Sequence, residues 1–127
     1  MARHYLGIGH ESAATGADLA ALVIDCLGRL NLTAADLACI ASIDQKAAAG
    51  LVAALANRLG VAVRYFDAAT LEAETPRLLN PSETVFRQMG CHGVAEAAAL
   101  AAGGTDAILV LPKTAGKGVT CAIARAG

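Results

Sequence analysis

The sequence has no tryptophan and only two tyrosines and two phenylalanines, so aromatics make up 3% of its 127 residues. Such a chain has no platform on which single-stranded bases would stack. Neither sign of charge is in surplus: ten Lys and Arg stand against eleven Asp and Glu, a formal net charge of -1. Nucleic acid, which needs a basic face, is therefore not an expected partner. Mean hydropathy is +0.53, yet a long apolar run is missing. The most apolar stretch, Leu19 to Ile24, ends at Asp25, far short of the roughly 18 residues of a membrane span. Met1-Ala2-Arg3-His4-Tyr5 leads straight into strand-like sequence, with no apolar leader segment. The four cysteines, Cys26, Cys39, Cys91 and Cys121, form no CxxC pair. His10 and His92 lack the Cys or carboxylate neighbours of a metal site. The expectation is a cytoplasmic protein with no membrane span, metal or cofactor, in which three of the cysteines are small core residues.

Alanine is abundant, at about a quarter of all positions. It forms helices readily and lets a helix lie close to a flat surface. Tyr5 to Gly9 reads as a first strand running into a glycine turn. Thr15 to Asp18 then carries a helix-start signature. Leu19, Leu22, Val23, Cys26, Leu27 and Leu30 recur on one helical stripe, with Asn31 as a left-handed stop. After a turn at Thr33 to Asp36, Leu37 to Ile43 is apolar nearly throughout, as in a strand covered on both faces.

Asp44-Gln45-Lys46 opens a second helix that carries Leu51, Val52, Leu55 and Leu59 and closes at Gly60. Val61 to Phe66 reads as a third strand, with Asp67 capping a short helix after it. Pro76 and Pro81 break the next stretch, and Ser82 caps a helix from Glu83 towards Met89, closed by Gly90. Val94 to Ala102 is an Ala-rich helix, Ala107 to Leu111 a buried strand, Pro112 to Gly118 a turn, and Val119 to Ala124 a returning strand. Strand and helix alternate through the first half, which predicts right-handed crossovers in a parallel sheet. The expected architecture is one domain over residues 1–127: an α/β/α sandwich of three layers, with a mixed, mostly parallel sheet ending in an antiparallel hairpin.

In such folds ligands gather outside the carboxyl ends of the strands. Gly7-Ile8-Gly9 falls there, but Ser12 stands where a dinucleotide fingerprint has its third glycine, and no acidic residue ends a second strand about 20 positions on. A nicotinamide or flavin nucleotide is therefore not expected. The lysines are more informative. Only three are present, Lys46, Lys113 and Lys117, and all fall at predicted strand ends or in the adjoining turn. Three ammonium groups on one rim suit a ligand with several carboxylates or phosphates. Gly116 and Gly118 flank Lys117 and would let a ligand approach the backbone. Asp44 either caps the second helix, orients a lysine or acts as a base. Ser82 and Glu83 open a helix near the same rim, with Glu83 favoured there by the helix dipole. Glu83 and His92 are the candidates for activating water. Cys91-His92 is the only adjacent Cys–His pair, yet adjacent residues at a helix start point apart.

Five blocks occur in order: Gly7-Ile8-Gly9; Ile40-Ala41-Ser42-Ile43-Asp44-Gln45-Lys46; Asn80-Pro81-Ser82-Glu83; Gly93 to Leu100; and Leu111-Pro112-Lys113 with Gly118 to Ala124. Together they resemble the cobalamin biosynthesis CobE/CbiG C-terminal domain family over essentially the whole chain. The resemblance implies a role in making the corrin ring of vitamin B12. CbiG proteins of the family carry an additional N-terminal domain, open a lactone on a cobalt-bound precorrin and release a two-carbon fragment as acetaldehyde. By the same resemblance this chain looks like the C-terminal unit alone, the stand-alone form associated with the aerobic route. Where the family often has Gly-Ile-Gly-Cys-Arg-Arg-Gly, it reads Gly7-Ile8-Gly9-His10-Glu11-Ser12-Ala13, without the cysteine or either arginine.

The implied ligand is a precorrin or hydrogenobyrinic-acid-type tetrapyrrole, a polyanion suited to clustered lysines. Its predicted site comprises Gly7, Gly9, Asp44, Lys46, Ser82, Lys113, Gly116, Lys117 and Gly118. A domain this small would offer an open cleft or a groove between subunits. The alternatives are a hydrolase acting on a precorrin lactone through Glu83 or His92, and a structural partner of another corrin-pathway enzyme. A homo-oligomer is compatible with the apolar surplus.

Overall fold

The computed structural model describes residues 2–127. Its five strands are β1 (Arg3–His10), β2 (Leu37–Ile43), β3 (Val63–Phe66), β4 (Ile108–Ala115) and β5 (Val119–Ala126), in the spatial order β3-β2-β1-β5-β4. β1, β2 and β3 pair in parallel, and β5 runs antiparallel to both β1 and β4. The sheet is therefore mixed, with only β5 reversed, as the sequence pattern predicts.

The helices are α1 (Gly16–Arg29), α2 (Leu51–Leu59), α3 (Ala68–Glu72), α4 (Glu83–Met89) and α5 (Ala95–Gly103). α1 and α2 cover one face. Leu19, Leu22, Val23, Cys26 and Leu27 of α1 and Val52 and Leu55 of α2 bury against Leu6, Ile8, Ile40, Cys121 and Ile123. The opposite face carries Cys39, Ala41 and Ile43 of β2 against Ala97 and Ala98 of α5. Both faces of β2 are thus covered, which is why its sequence shows no alternation.

α5 is buried nearly all round, from Ala95 to Leu100 and at Ala102. It lies so close to β1 that a methyl group on Gly7 would stand 1.8 Å from the Ala95 carbonyl oxygen. Small side chains on both partners make that approach possible. Local capping follows the sequence. Thr15 Oγ1 accepts from Asp18 N, Asp67 from Thr70 N and Ser82 from Val85 N. Asn31 has φ 56°. All four cysteines are buried and free, Cys91 included.

Three expectations need correction. Asp44–Ala49 forms a separate 3-10 turn that ends at the left-handed Gly50, and α2 begins only at Leu51. Asp44 makes no capping hydrogen bond there and is exposed. The third strand starts at Val63, so Val61 and Ala62 lie outside it. Pro112 to Ala115 belong to β4, which leaves Gly116 to Gly118 as the turn. β4 is the edge strand and its register breaks between Leu111 and Thr114, where a proline without an N–H is tolerated.

Candidate functional site

The parallel strands and β4 end on one rim, and there a cavity of about 700 Å³ opens. β1 contributes Gly9 and His10, β2 ends at Ile43, and β4 contributes Lys113 and Ala115. Lys46 reaches it from the 3-10 turn after β2, and Gly116 and Gly118 from the β4–β5 hairpin. The Glu11 N–H donates to the Gly118 carbonyl at 2.9 Å, holding the first turn against that hairpin. α4 closes one side with Thr84, Val85, Gln88 and Met89.

The start of α5 forms another wall. Val94 precedes the helix without a side-chain cap, and Gly93 to Glu96 line the cavity. The first backbone N–H groups of a helix have no partner within it, which gives this wall partial positive charge. Glu96 stands in the first turn and is 2% exposed. Its carboxylate accepts from Leu79 N (3.0 Å), Asn80 N (2.9 Å), Asn80 Nδ2 (3.0 Å) and Lys113 N (2.9 Å). Burial pushes its pKa up, but the N–H donors outweigh burial and hold it below the usual carboxylate range. The charge of Glu96 is therefore engaged by four N–H donors. It fastens the edge strand to the 79–80 loop and to the helix.

The structure brings Gly9, Lys46, Ser82, Lys113, Gly116 and Gly118 to this cavity. It leaves Gly7, Asp44, Lys117, Glu83 and His92 out of the lining. Gly7 faces the backbone of α5. Lys117 is exposed at the hairpin tip. Two lysines rather than three therefore face the hollow, beside the exposed carboxylate of Glu11.

His92 and Glu83 belong to a neighbouring cluster. His92 Nδ1 lies 2.9 Å from both oxygens of Glu72, and its backbone N–H donates to Glu72 Oε1 at 3.0 Å. Its Nε2 is 3.3 Å from Glu83 Oε1, and the Phe86 ring stacks on it with centroids 4.3 Å apart. The hydrogen bond to Glu72 raises the pKa of His92 above the ordinary imidazole value, while His92 lowers that of Glu72. The imidazole thus lies between two carboxylates, both of which favour its charged form.

Sequence reasoning missed Glu96 as part of the site. The one available signal was a lone carboxylate inside an otherwise apolar helix, and its four donors lie 16 or more positions away. His10 also lines the cavity. Its Nδ1 is 2.9 Å from the Glu11 carbonyl oxygen, and its Nε2 is buried without a partner. Among the described residues no three His, Cys, Asp or Glu group as metal ligands, and no helix is long and apolar enough to cross a membrane.

Residues 4–124 match the family described as cobalamin synthesis G C-terminus. The chain is 41% identical over 119 residues to protein CobE of Sinorhizobium sp, which covers 94% of this chain and 77% of that one. It superposes on the crystal structure of CobE, a protein from the cobalamin (vitamin B12) biosynthetic pathway, with a TM-score of 0.90 and 35% identity, covering 98% and 90% of the two chains. A putative cobalamin biosynthesis protein G homolog from Sulfolobus solfataricus gives a TM-score of 0.76 at 29% identity. There the match covers 98% of this chain but 37% of the longer one.

Proposed function

Since the chain belongs to the cobalamin synthesis G C-terminus family and so to the cobalamin biosynthesis pathway, we propose that it binds a polycarboxylate precorrin or corrin intermediate at the carboxyl rim of its sheet. One observation carries this reading: Lys46, Lys113 and the uncapped start of α5 converge on one cavity. A corrin precursor is a broad, fairly flat ring edged with acetate and propionate groups. Two ammonium groups and a helix start would take several of those carboxylates, while the apolar wall of Val85, Met89 and Val94 meets the ring. Lys113 is exposed, so its contact with a carboxylate is worth about 1 kcal/mol or less. The half-buried Lys46 stands higher, at about 1.5 kcal/mol.

The cavity is too small to enclose such a ring, so the ligand sits across its mouth with part of its edge outside. A hydrolytic role through Glu83 or His92 has no comparable support, because neither lines the cavity. Titration of the protein with hydrogenobyrinic acid, followed by absorbance, tests the binding. The double variant Lys46→Ala with Lys113→Ala is expected to bind about fiftyfold more weakly and with a flatter salt dependence. An unchanged affinity removes the lysines from the account. Incubation with a lactone-bearing precorrin and an assay for acetaldehyde tests the hydrolytic alternative, and aldehyde above a heat-killed control would favour it.

A further inference from the structure

α4 differs from the other four α-helices of the described chain in having no buried residue. No strand or helix packs extensively against it. Yet one of its faces walls the cavity with Thr84, Val85, Gln88 and Met89. It is bounded by Pro81 on one side and by Gly90, at φ 82°, on the other. Gly90 is suited to absorb a change of direction, while Pro81 fixes the direction from which the chain enters.

α4 is fastened to the body by Val85 and Met89, which pack partly buried against the core on the α5 side, by the Ser82 N–H, which donates to the His92 carbonyl at 2.7 Å, and by a small set of side-chain contacts. At its far end Gln45 Nε2 donates to the Met89 carbonyl at 3.1 Å. At its near end Glu83 reaches the His92 imidazole at 3.3 Å and Phe86 stacks on the same ring. The residue they grip is itself tied to α3. His92 is fixed to α3 by two contacts from Nδ1 and one from its backbone N–H, all to Glu72, which Thr75 Oγ1 also holds at 2.8 Å. Glu83, by contrast, has a side chain 75% exposed. The anchored side and the releasable side of the imidazole are different.

We propose that α4 is a hinged lid on the rim cavity, latched shut by Glu83 and Phe86 against His92, and that it opens to admit the ligand. As an account of ring entry this rests on the ring-binding reading above; as an account of chain motion it stands alone. It gives the two residues singled out as water activators a positioning role instead. The groups facing His92 are Glu72 from α3, Glu83 from α4 and, one residue before it, the buried Cys91 thiol, whose pKa burial pushes up and so keeps neutral. The imidazole thus has a carboxylate on each side, and the attraction to Glu83 adds to the stack.

The test pairs a measurement without ligand with one that includes it. Amide hydrogen exchange in the free protein should show Phe86 and Gly90, whose N–H groups bond within α4's own turns, exchanging faster than the amides of β1. Glu83→Gln and Phe86→Ala should each speed them further, roughly two- to fivefold, as expected for an exposed ion pair or stack, while β1 stays unchanged. Stopped-flow mixing with hydrogenobyrinic acid should then show association and dissociation rates rising together in both variants at nearly constant Kd. Exchange at Phe86 and Gly90 as slow as in β1, or unmoved by both substitutions, overturns the lid. Ring binding with unaltered rates in both variants also overturns it and leaves the ring-binding reading intact. Faster exchange in the variants with no ring binding by the native protein supports the lid and removes the ring.

Discussion

The carboxylate of Glu96 accepts the backbone N–H of Lys113 at 2.9 Å, so a buried acid at the start of one helix sets the position of a lysine on the opposite edge strand. The same carboxylate holds the 79–80 loop. Replacing Glu96 with Ala leaves these donors without their acceptor and should cost about 2–4 kcal/mol by chemical denaturation. Glu96→Gln keeps one oxygen and should cost less. Equal stability of native and Glu96→Ala proteins would contradict this role.

Gly7 supports the site indirectly. An added Cβ would meet the Ala95 carbonyl oxygen at 1.8 Å and the Ala99 nitrogen at 2.8 Å, both backbone atoms that yield only if α5 shifts. Gly7→Ala is expected to lose about 3 kcal/mol or more. Gly28→Ala, inside α1 and with nothing within 4 Å, serves as the control and should stabilise by up to about 1 kcal/mol.

Stability should depend on pH through the Glu72–His92 pair. The folded pKa of His92 is raised, so its contribution is complete below the unfolded value of about 6.5 and is lost as pH rises through the folded value. The folded pKa of Glu72 is lowered, so its contribution is present above the ordinary carboxylate range and is lost as pH falls through the folded value. Thermal melts between these limits should be flat, with a decline on each side. In Glu72→Gln both declines attributable to the pair should shrink. Identical pH profiles in the two proteins would exclude this linkage.

Charge at the rim should be readable residue by residue. Lys117→Ala is expected to leave the affinity for hydrogenobyrinic acid unchanged within about twofold, since Lys117 lies outside the cavity lining, whereas Lys113→Ala should weaken it by about three- to fivefold. Glu11→Gln removes an exposed carboxylate from the same lining and should tighten binding about two- to threefold. Weaker binding in Glu11→Gln would mean that the carboxylate contacts a donor on the ligand.

Much of the scaffold was legible locally. The apolar stripe of α1, the unbroken apolar run of β2 and the caps at Thr15, Asp67 and Ser82 depend on neighbours within one or two turns, and the structure repeats them. Errors arose where pairing overrides local preference. Pro112 and Lys113 look like turn residues, yet β5 draws them into the edge of the sheet. Lys46 sits in a 3-10 turn because Gly50 adopts a left-handed conformation before α2 begins.

The candidate site was only partly legible, for a geometric reason. Gly7 and Gly9 stand two apart on one strand, Gly7 against α5 and Gly9 against Thr120 and Val94, and only Gly9, nearer the strand end, reaches the cavity. Lys113 and Lys117 are four apart, yet one lies on β4 and the other at the hairpin tip.

The sequence by itself determined the layered α/β arrangement and the family, because hydrophobic periodicity, capping and motif order act over short chain distances. Only the tertiary structure decided which lysines share a hollow, why Glu96 is buried there and where His92 points. Those are outcomes of contacts between segments 9 to 44 residues apart, such as His92 with Glu83 or Gln45 with Met89 and Glu72 with His92, whose geometry exists only once the sheet and its helices are packed.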